Sequence, residues 1–237
     1  MALTFVCRSA VTFAPMAKDI HISRREALVT AGVIAAGAGV YALRPAPATG
    51  DSAASCVLAP EMTEGPYYLD DHLIRRDISE GKDGVPLQLR LTVQNASSCK
   101  PIAKATVEVW HADAIGQYSG FDGAGTTTHY LRGGQRTNRS GLAVIDTIYP
   151  GWYQGRTPHI HVKVHVGGNV VHTGQLFFRS ATSAAVYRTS AYAAHGQADT
   201  TNATDMIYAD GGSKSLLALR RRAGGGYTGA IALGVRT

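Results

Sequence analysis

From Leu87 to Val93 (LQLRLTV) leucines and a valine take every second position, and Gln88, Arg90 and Thr92 take the others. Side chains alternate between the two faces of a strand, so this spacing predicts a half-buried β-strand. ATVEVWHA (105–112), GLAVIDTIY (141–149), HIHVKVHV (159–166), VVHTGQLFF (170–178) and YTGAIALGV (227–235) extend the set to at least six strands. The VGGN between the HIHVKVHV and VVHTGQLFF segments is a hairpin signal. Helical periodicity is scarce: SATSAAVYRTSAYAAHG (180–196) and SKSLLALRRR (213–222) predict short helices. Strands without alternating helices point to a mainly β fold, an antiparallel-rich β-sandwich with few short helices.

The chain has 237 residues, 45% hydrophobic and 17% charged, which fits one globular domain with appendages. Its formal charge is +6, yet it has no run of five or six Lys/Arg; LRRR (219–222) is the densest group. A solvated basic face is expected, and no nucleic-acid partner. Residues 1–48 read differently. Arg24-Arg25 precedes a weakly apolar Gly/Ala-rich run to Leu43, and Ala46-Pro47-Ala48 follows as a cleavage-type site. This is the layout of a twin-arginine export signal, with 1–15 as an upstream extension before Met16. A retained membrane anchor is the alternative, but the run is short and weakly apolar for a span. Residues 49–55 read as a tether and 56–237 as the domain proper.

Export bears on the cysteines. Cys7 falls in the signal, leaving Cys56 and Cys99. An even pair in an exported protein reads as a disulfide, worth about 3–4 kcal/mol in the chain-entropy account. Two separate buried thiols are the alternative.

The chemistry concentrates in PGWYQGRTPHIHVKVHV (150–166). On a strand, His159, His161, Lys163 and His165 share one face, and Ile160, Val162, Val164 and Val166 share the other, which is the expected core face. Imidazoles two residues apart, about 6.6 Å at Cα, can converge on one metal. His165 is too far along the strand to join them and reads as a surface histidine. H-x-H alone is a weak signal, more often a polar strand face than a metal pair. No carboxylate lies within ten residues of the pair, the nearest being Asp146. What lies near is Tyr153. A phenol ionises near pH 10, so only a strongly Lewis-acidic ion such as Fe(III) would recruit it at neutral pH. Histidines with tyrosine therefore favour ferric iron over zinc or magnesium.

With TEGPYY (63–68), VEVWHADAIGQYSGF (107–121), LRGGQRTNRSGLAVIDTIYPGWY (131–153), GRTPHIHVKV (155–164) and TGQLFF (173–178), the chain resembles the intradiol ring-cleavage dioxygenases in order and spacing. The resemblance covers roughly residues 56 to 235. It implies a β-sandwich whose non-haem Fe(III) is held by Tyr118, Tyr153, His159 and His161. Tyr153 would be the displaceable ligand and a base, with Arg156 and Gln175 as catalytic, substrate-facing groups. Pro66 and Tyr67 would line the pocket. The implied reaction cleaves catechol-type aromatics with O₂ to cis,cis-muconate-type products. Trp110, His111 and Trp152 match as packing or supporting groups, and His129, His172 and His195 have no assigned role. The long helical N-terminal dimerisation region of catechol 1,2-dioxygenases has no counterpart here, so the oligomeric state does not carry over.

Two other readings compete. An exported ligand-binding sandwich, transthyretin-like or carbohydrate-binding, explains the strands and the signal but leaves the placement of both tyrosines, Arg156 and both histidines unexplained. A zinc hydrolase lacks a nearby carboxylate ligand and a general base. Which catechol is the substrate is not written in the motifs, because pocket loops set it.

Overall fold

Every period-two segment is a strand. The structure, a computed structural model, describes residues 56–121, 123 and 127–237; the signal-type segment and the tether lie outside the described residues. In chain order the strands are β1 (Pro86–Asn95), β2 (Thr106–Trp110), β3 (Arg132–Arg136), β4 (Leu142–Ile148), β5 (His159–Val166), β6 (Asn169–Phe177), β7 (Ala218–Arg221) and β8 (Tyr227–Val235). They form two four-stranded sheets, ordered β4-β1-β8-β7 and β3-β2-β5-β6. All pairings within strands are antiparallel except β1 with β8.

Three short helices follow β6: α1 (Ser180–Val186), α2 (Ser190–Ala193) and α3 (Met206–Ala209). The segment 213–222, expected to be helical, is instead the end of a 3-10 turn at Gly212–Ser215 followed by β7. Its apolar residues suit a helix stripe, but Leu217 is buried in the core and Ala218–Arg221 pair with β8, so tertiary pairing overrides local propensity. β3 was not expected either. RGGQR has no apolar alternation. It becomes a strand because its backbone pairs with β2 from Thr106↔Arg136 to Trp110↔Arg132.

The core lies between the sheets. Leu87, Leu89, Leu91 and Val93 of β1 face Val107 and Val109 of β2 and Ile160, Val162 and Val164 of β5 in one apolar cluster. The β5–β6 hairpin turns at Gly167-Gly168, where φ is +60° and +88°. Two successive left-handed residues are what a type I′ turn needs, and glycine adopts them without strain.

What positions the site is the segment entering the fold. Cys56 is bonded to Cys99, just past β1, with the Cα atoms 5.4 Å apart. From there Ala59 N–H bonds Gly234 of β8, Met62 N–H bonds Thr173 of β6, and Arg75 N–H bonds Gly134 of β3. β6 and β3 are opposite edges of the second sheet. Residues 59–75 therefore cross its outer face as a strap. Glu61 accepts hydrogen bonds from His172 (2.8 Å) and Thr173 N–H (3.0 Å), and Asp71 pairs with His129 at 2.9 Å, so two unassigned histidines fasten the strap.

Among the described residues no helix is long and apolar enough to cross a membrane.

Candidate metal centre

Register aligns the polar face of the second sheet. Trp110 of β2 pairs with His161 of β5, which pairs with Gln175 of β6, so the three side chains form one row on the outer face. His159 is the next residue of that face and Lys163 the one beyond. The face is polar yet buried: His159, His161 and Lys163 are 3%, 1% and 6% exposed. The strap covers it. Gly65 crosses so close to His161 that a β-carbon there would stand 3.2 Å from the imidazole Cε1, and its φ of +73° is one that side-chain-bearing residues rarely adopt.

His159 and His161 converge, with their Nε2 atoms 3.1 Å apart. His159 Nδ1 donates to the Thr157 carbonyl at 2.8 Å, so its Nε2 presents a lone pair. Tyr153 Oη lies 3.4 Å from the same Nε2. Tyr118 is 3% exposed, and its hydroxyl has no hydrogen-bond partner of regular geometry. Its ring is 5.8 Å from that of Tyr153 and 6.2 Å from that of His161. Two tyrosines and two histidines from the loop after β2, the loop before β5 and β5 itself thus meet under the strap. Trp110 stacks on His161 at 4.9 Å with the rings nearly parallel. Tyr67 stacks on Tyr118 at 4.3 Å and meets Phe121 and Tyr153 edge-on.

The electrostatics of these four groups suit a cation. Burial first, then Arg156, lowers His159 from 6.5 to about 3; burial and His159 hold His161 well below its ordinary value. Both are neutral imidazoles across the physiological range. Burial and the neighbouring Tyr153 raise Tyr118 well above an ordinary phenol. Burial raises Tyr153 too, against the pull of Arg156. These phenols remain protonated unless a strong Lewis acid ionises them.

Ferric iron fits this set. Two nitrogens 3.1 Å apart are close enough for both to bind one ion at about 2 Å. The buried Tyr118 hydroxyl, without a hydrogen bond of regular geometry, would gain a partner in such an ion. Among the described residues no group of three or more His, Cys, Asp or Glu is placed to hold a metal, so a histidine–carboxylate zinc site is not formed there.

Arg156 lies among the same atoms. Its Nη1 is 3.4 Å from both Tyr153 Oη and His159 Nε2. Gln175 is fully buried; its Oε1 accepts from Arg156 Nη2 and its Nε2 donates to the Thr63 carbonyl at 3.0 Å. Both ends of the Gln175 amide are engaged by protein, so it is placed to hold Arg156 rather than to reach outward. Tyr67 lies against the site through its ring contacts, while Pro66 is exposed.

Other expectations change. His165 is half-buried, after a β-bulge at Val164/His165, with its Nε2 3.3 Å from Glu108 Oε2. It pairs with Glu108 of β2 on the same face, so it is not a free surface histidine. His111 is fully buried between the sheets: Nδ1 donates to the Ala112 carbonyl and Nε2 accepts from Thr147 Oγ1, each at 2.8 Å. Trp152 Nε1 donates to the Gly196 carbonyl and its ring packs on His195.

The sequence missed two charged residues of the site. Arg132, 3% exposed, donates to Ser119 and to the Tyr67 carbonyl, tying the loop after Tyr118 to the strap. Asp205 sits at the N-cap of α3 and pairs with Arg156. It caps a short helix that the sequence pattern does not predict, and nothing local signals an arginine forty-nine residues away.

Residues 63–191 match the Dioxygenase_C family, described as Dioxygenase. Catechol 1,2-dioxygenase 1 of Acinetobacter lwoffii is 35% identical over 136 residues, 53% of this chain and 43% of that protein. A chlorocatechol 1,2-dioxygenase of Burkholderia cepacia is 30% identical over 48% of this chain and 52% of its own length. The chain thus spans about half the length of the curated relatives it matches. Among solved structures, an intradiol ring-cleavage dioxygenase from Tetranychus urticae superposes with a TM-score of 0.73 at 34% identity, over 76% of this chain and 95% of that one. The dioxygenase domain of a dioxygenase–carbohydrate-binding protein fusion from Streptomyces sp. SirexAA-E gives 0.60 at 31% identity, over 76% and 99%. With more than half the described fold matched in sequence and its backbone shared, the chain belongs to the intradiol ring-cleavage dioxygenase family.

Proposed function

We propose that the protein is a non-haem Fe(III)-dependent dioxygenase that cleaves catechol-type aromatics between their hydroxyl-bearing carbons with O₂, giving cis,cis-muconate-type products. The observation that carries this is the convergence of His159 and His161 Nε2, the Tyr153 phenol and the orphaned Tyr118 phenol at one buried point. Bound there, ferric iron would supply the Lewis acidity that ionises phenols and catechol hydroxyls and the electronic link between the ring and O₂.

The chain's own residues divide the remaining work. Tyr118 is buried and stacked on Tyr67, so it would be the phenol that stays on the metal throughout. Tyr153 is half-buried and, once ionised by the metal, would be the phenolate that leaves it and takes a substrate hydroxyl proton. Arg156 places fixed positive charge beside the same atoms, where the ring becomes electron-rich. Tyr67, Trp110 and the strap exclude water from the metal-facing atoms.

Oxygen uptake by iron-replete protein over a panel of catechol, protocatechuate, hydroxyquinol and lignin-derived catechols, with product identification, tests the reading. Uptake with cis-muconate-type products is expected. Extradiol products, or no uptake with any of them, contradict it. We also place the mature protein outside the cytoplasm, a reading supported by Arg24-Arg25 and by the Cys56–Cys99 bond. Replacing both arginines with lysine should leave the protein in the cytoplasmic fraction; unchanged export overturns that placement.

A further inference from the structure

Arg156 has three nitrogens, and the structure engages each with a different partner. Nε donates to Asp205 Oδ2 at 2.9 Å, Nη2 donates to Gln175 Oε1, and Nη1 is left facing Tyr153 Oη and His159 Nε2. A guanidinium is planar and rigid, so fixing two corners aims the third. Gln175 comes from β6 and is held in the sheet. Asp205 comes from the loop before α3, outside the residues 63–191 that match the family.

The Asp205 carboxylate is itself over-determined. Oδ1 accepts from Ile207 N–H (2.8 Å) and Tyr208 N–H (2.9 Å), and Oδ2 accepts from Thr157 N–H (2.8 Å) as well as from Arg156. Its side chain is 0% exposed. Burial alone would raise its pKa, but the hydrogen bonds from Tyr208, Thr157 and Arg156 outweigh that, and the net direction is down. The carboxylate is therefore a charged, immobile anchor. It also fixes the Thr157 backbone N–H, and the carbonyl of the same residue accepts a hydrogen bond from His159 Nδ1.

We propose that Asp205 is the positioning residue of the site, aiming Arg156 Nη1 at the metal-facing atoms. This rests on the dioxygenase reading only for its catalytic consequence. The clamp itself can be read in metal-free protein.

Asp205→Asn is the selective variant. Its carbonyl oxygen can still cap α3, while its amide would face the two donors Arg156 Nε–H and Thr157 N–H. In metal-free wild type the Arg156 Nε–H should give a nitrogen-15 NMR signal protected from exchange, and in Asp205→Asn that protection should vanish while amide dispersion stays. In iron-loaded protein the variant should lose roughly 10- to 100-fold, in kcat more than KM, as misplacing a charged group does. The same change on an Arg156→Met background should cost far less, only what the Asp205 contact with Thr157 N–H contributes. If Asp205→Asn loses its amide dispersion, Asp205→Ser, which keeps a cap but cannot reach Arg156, answers the same questions. Persisting Nε–H protection, full kcat, or an equal loss on both backgrounds overturns the proposal. Wild-type protein without catechol-dependent oxygen uptake would instead refute the dioxygenase reading, with the NMR result still deciding the clamp.

Discussion

β1 and β5 are strands of the same sandwich with opposite outer faces. β1 buries Leu87, Leu89, Leu91 and Val93 and turns Arg90 to solvent. β5 buries Ile160, Val162 and Val164 on one side and His159, His161 and Lys163 on the other. A half-buried strand needs only one apolar face. Burying three basic side chains on the second face costs desolvation unless each finds a partner. Lys163 finds Glu64 and the Tyr68 ring, 3.4 Å from its ammonium. The histidines find each other and two phenols. The difference teaches that the outer face of β5 is organised by what covers it and by what it holds, not by folding alone.

The contrast can be broken at its functional end first. His161→Ala removes one of the two converging nitrogens and should abolish stable iron binding and turnover, read by metal analysis. Iron retained at wild-type stoichiometry would mean the pair is a polar face only. Tyr153→Phe keeps the packing but removes the movable oxygen, and turnover should fall by about 10²- to 10⁴-fold with iron still bound. On the core side, Leu89→Ala should cost about 2–5 kcal/mol in denaturant unfolding, whereas Arg90→Ala beside it should stay within about 0.5 kcal/mol. Similar costs for the two would deny that β1 is one-faced.

The core also carries an effect of pH. Burial lowers His111 from 6.5 to about 4. Between those values the unfolded chain binds a proton that the folded one refuses, so stability present above pH 6.5 is lost as pH falls toward 4. At about 1.4 kcal/mol per unit this amounts to roughly 3 kcal/mol. His111→Gln should flatten that part of the stability–pH curve, and an unchanged slope would place the titration elsewhere.

How far the sequence reaches follows from the same contrast. Period-two alternation made β1, β2, β4, β5, β6 and β8 legible, because half-buried strands must alternate. β3 was not legible, since RGGQR is strand only by pairing. The leucines of 216–219 mimic a helix stripe while serving the core and a β8 pairing. At the site, His159, His161 and Tyr153 were legible because the chain brings them close in one stretch. Tyr118 needed the family resemblance, since the link between it and the histidines is spatial. Asp205 and Arg132 were invisible: a buried carboxylate or guanidinium announces itself through partners 49 and 65 residues away, and no local pattern encodes those distances.

The central claim is that two phenols and two imidazoles hold one ferric ion. The visible spectrum of iron-reconstituted protein tests it most directly. The account predicts a wine-red protein with about one iron per chain, whose tyrosinate-to-iron charge-transfer band changes in Tyr153→Phe and again in Tyr118→Phe. An iron-loaded protein that is colourless, or whose band neither substitution alters, would contradict it.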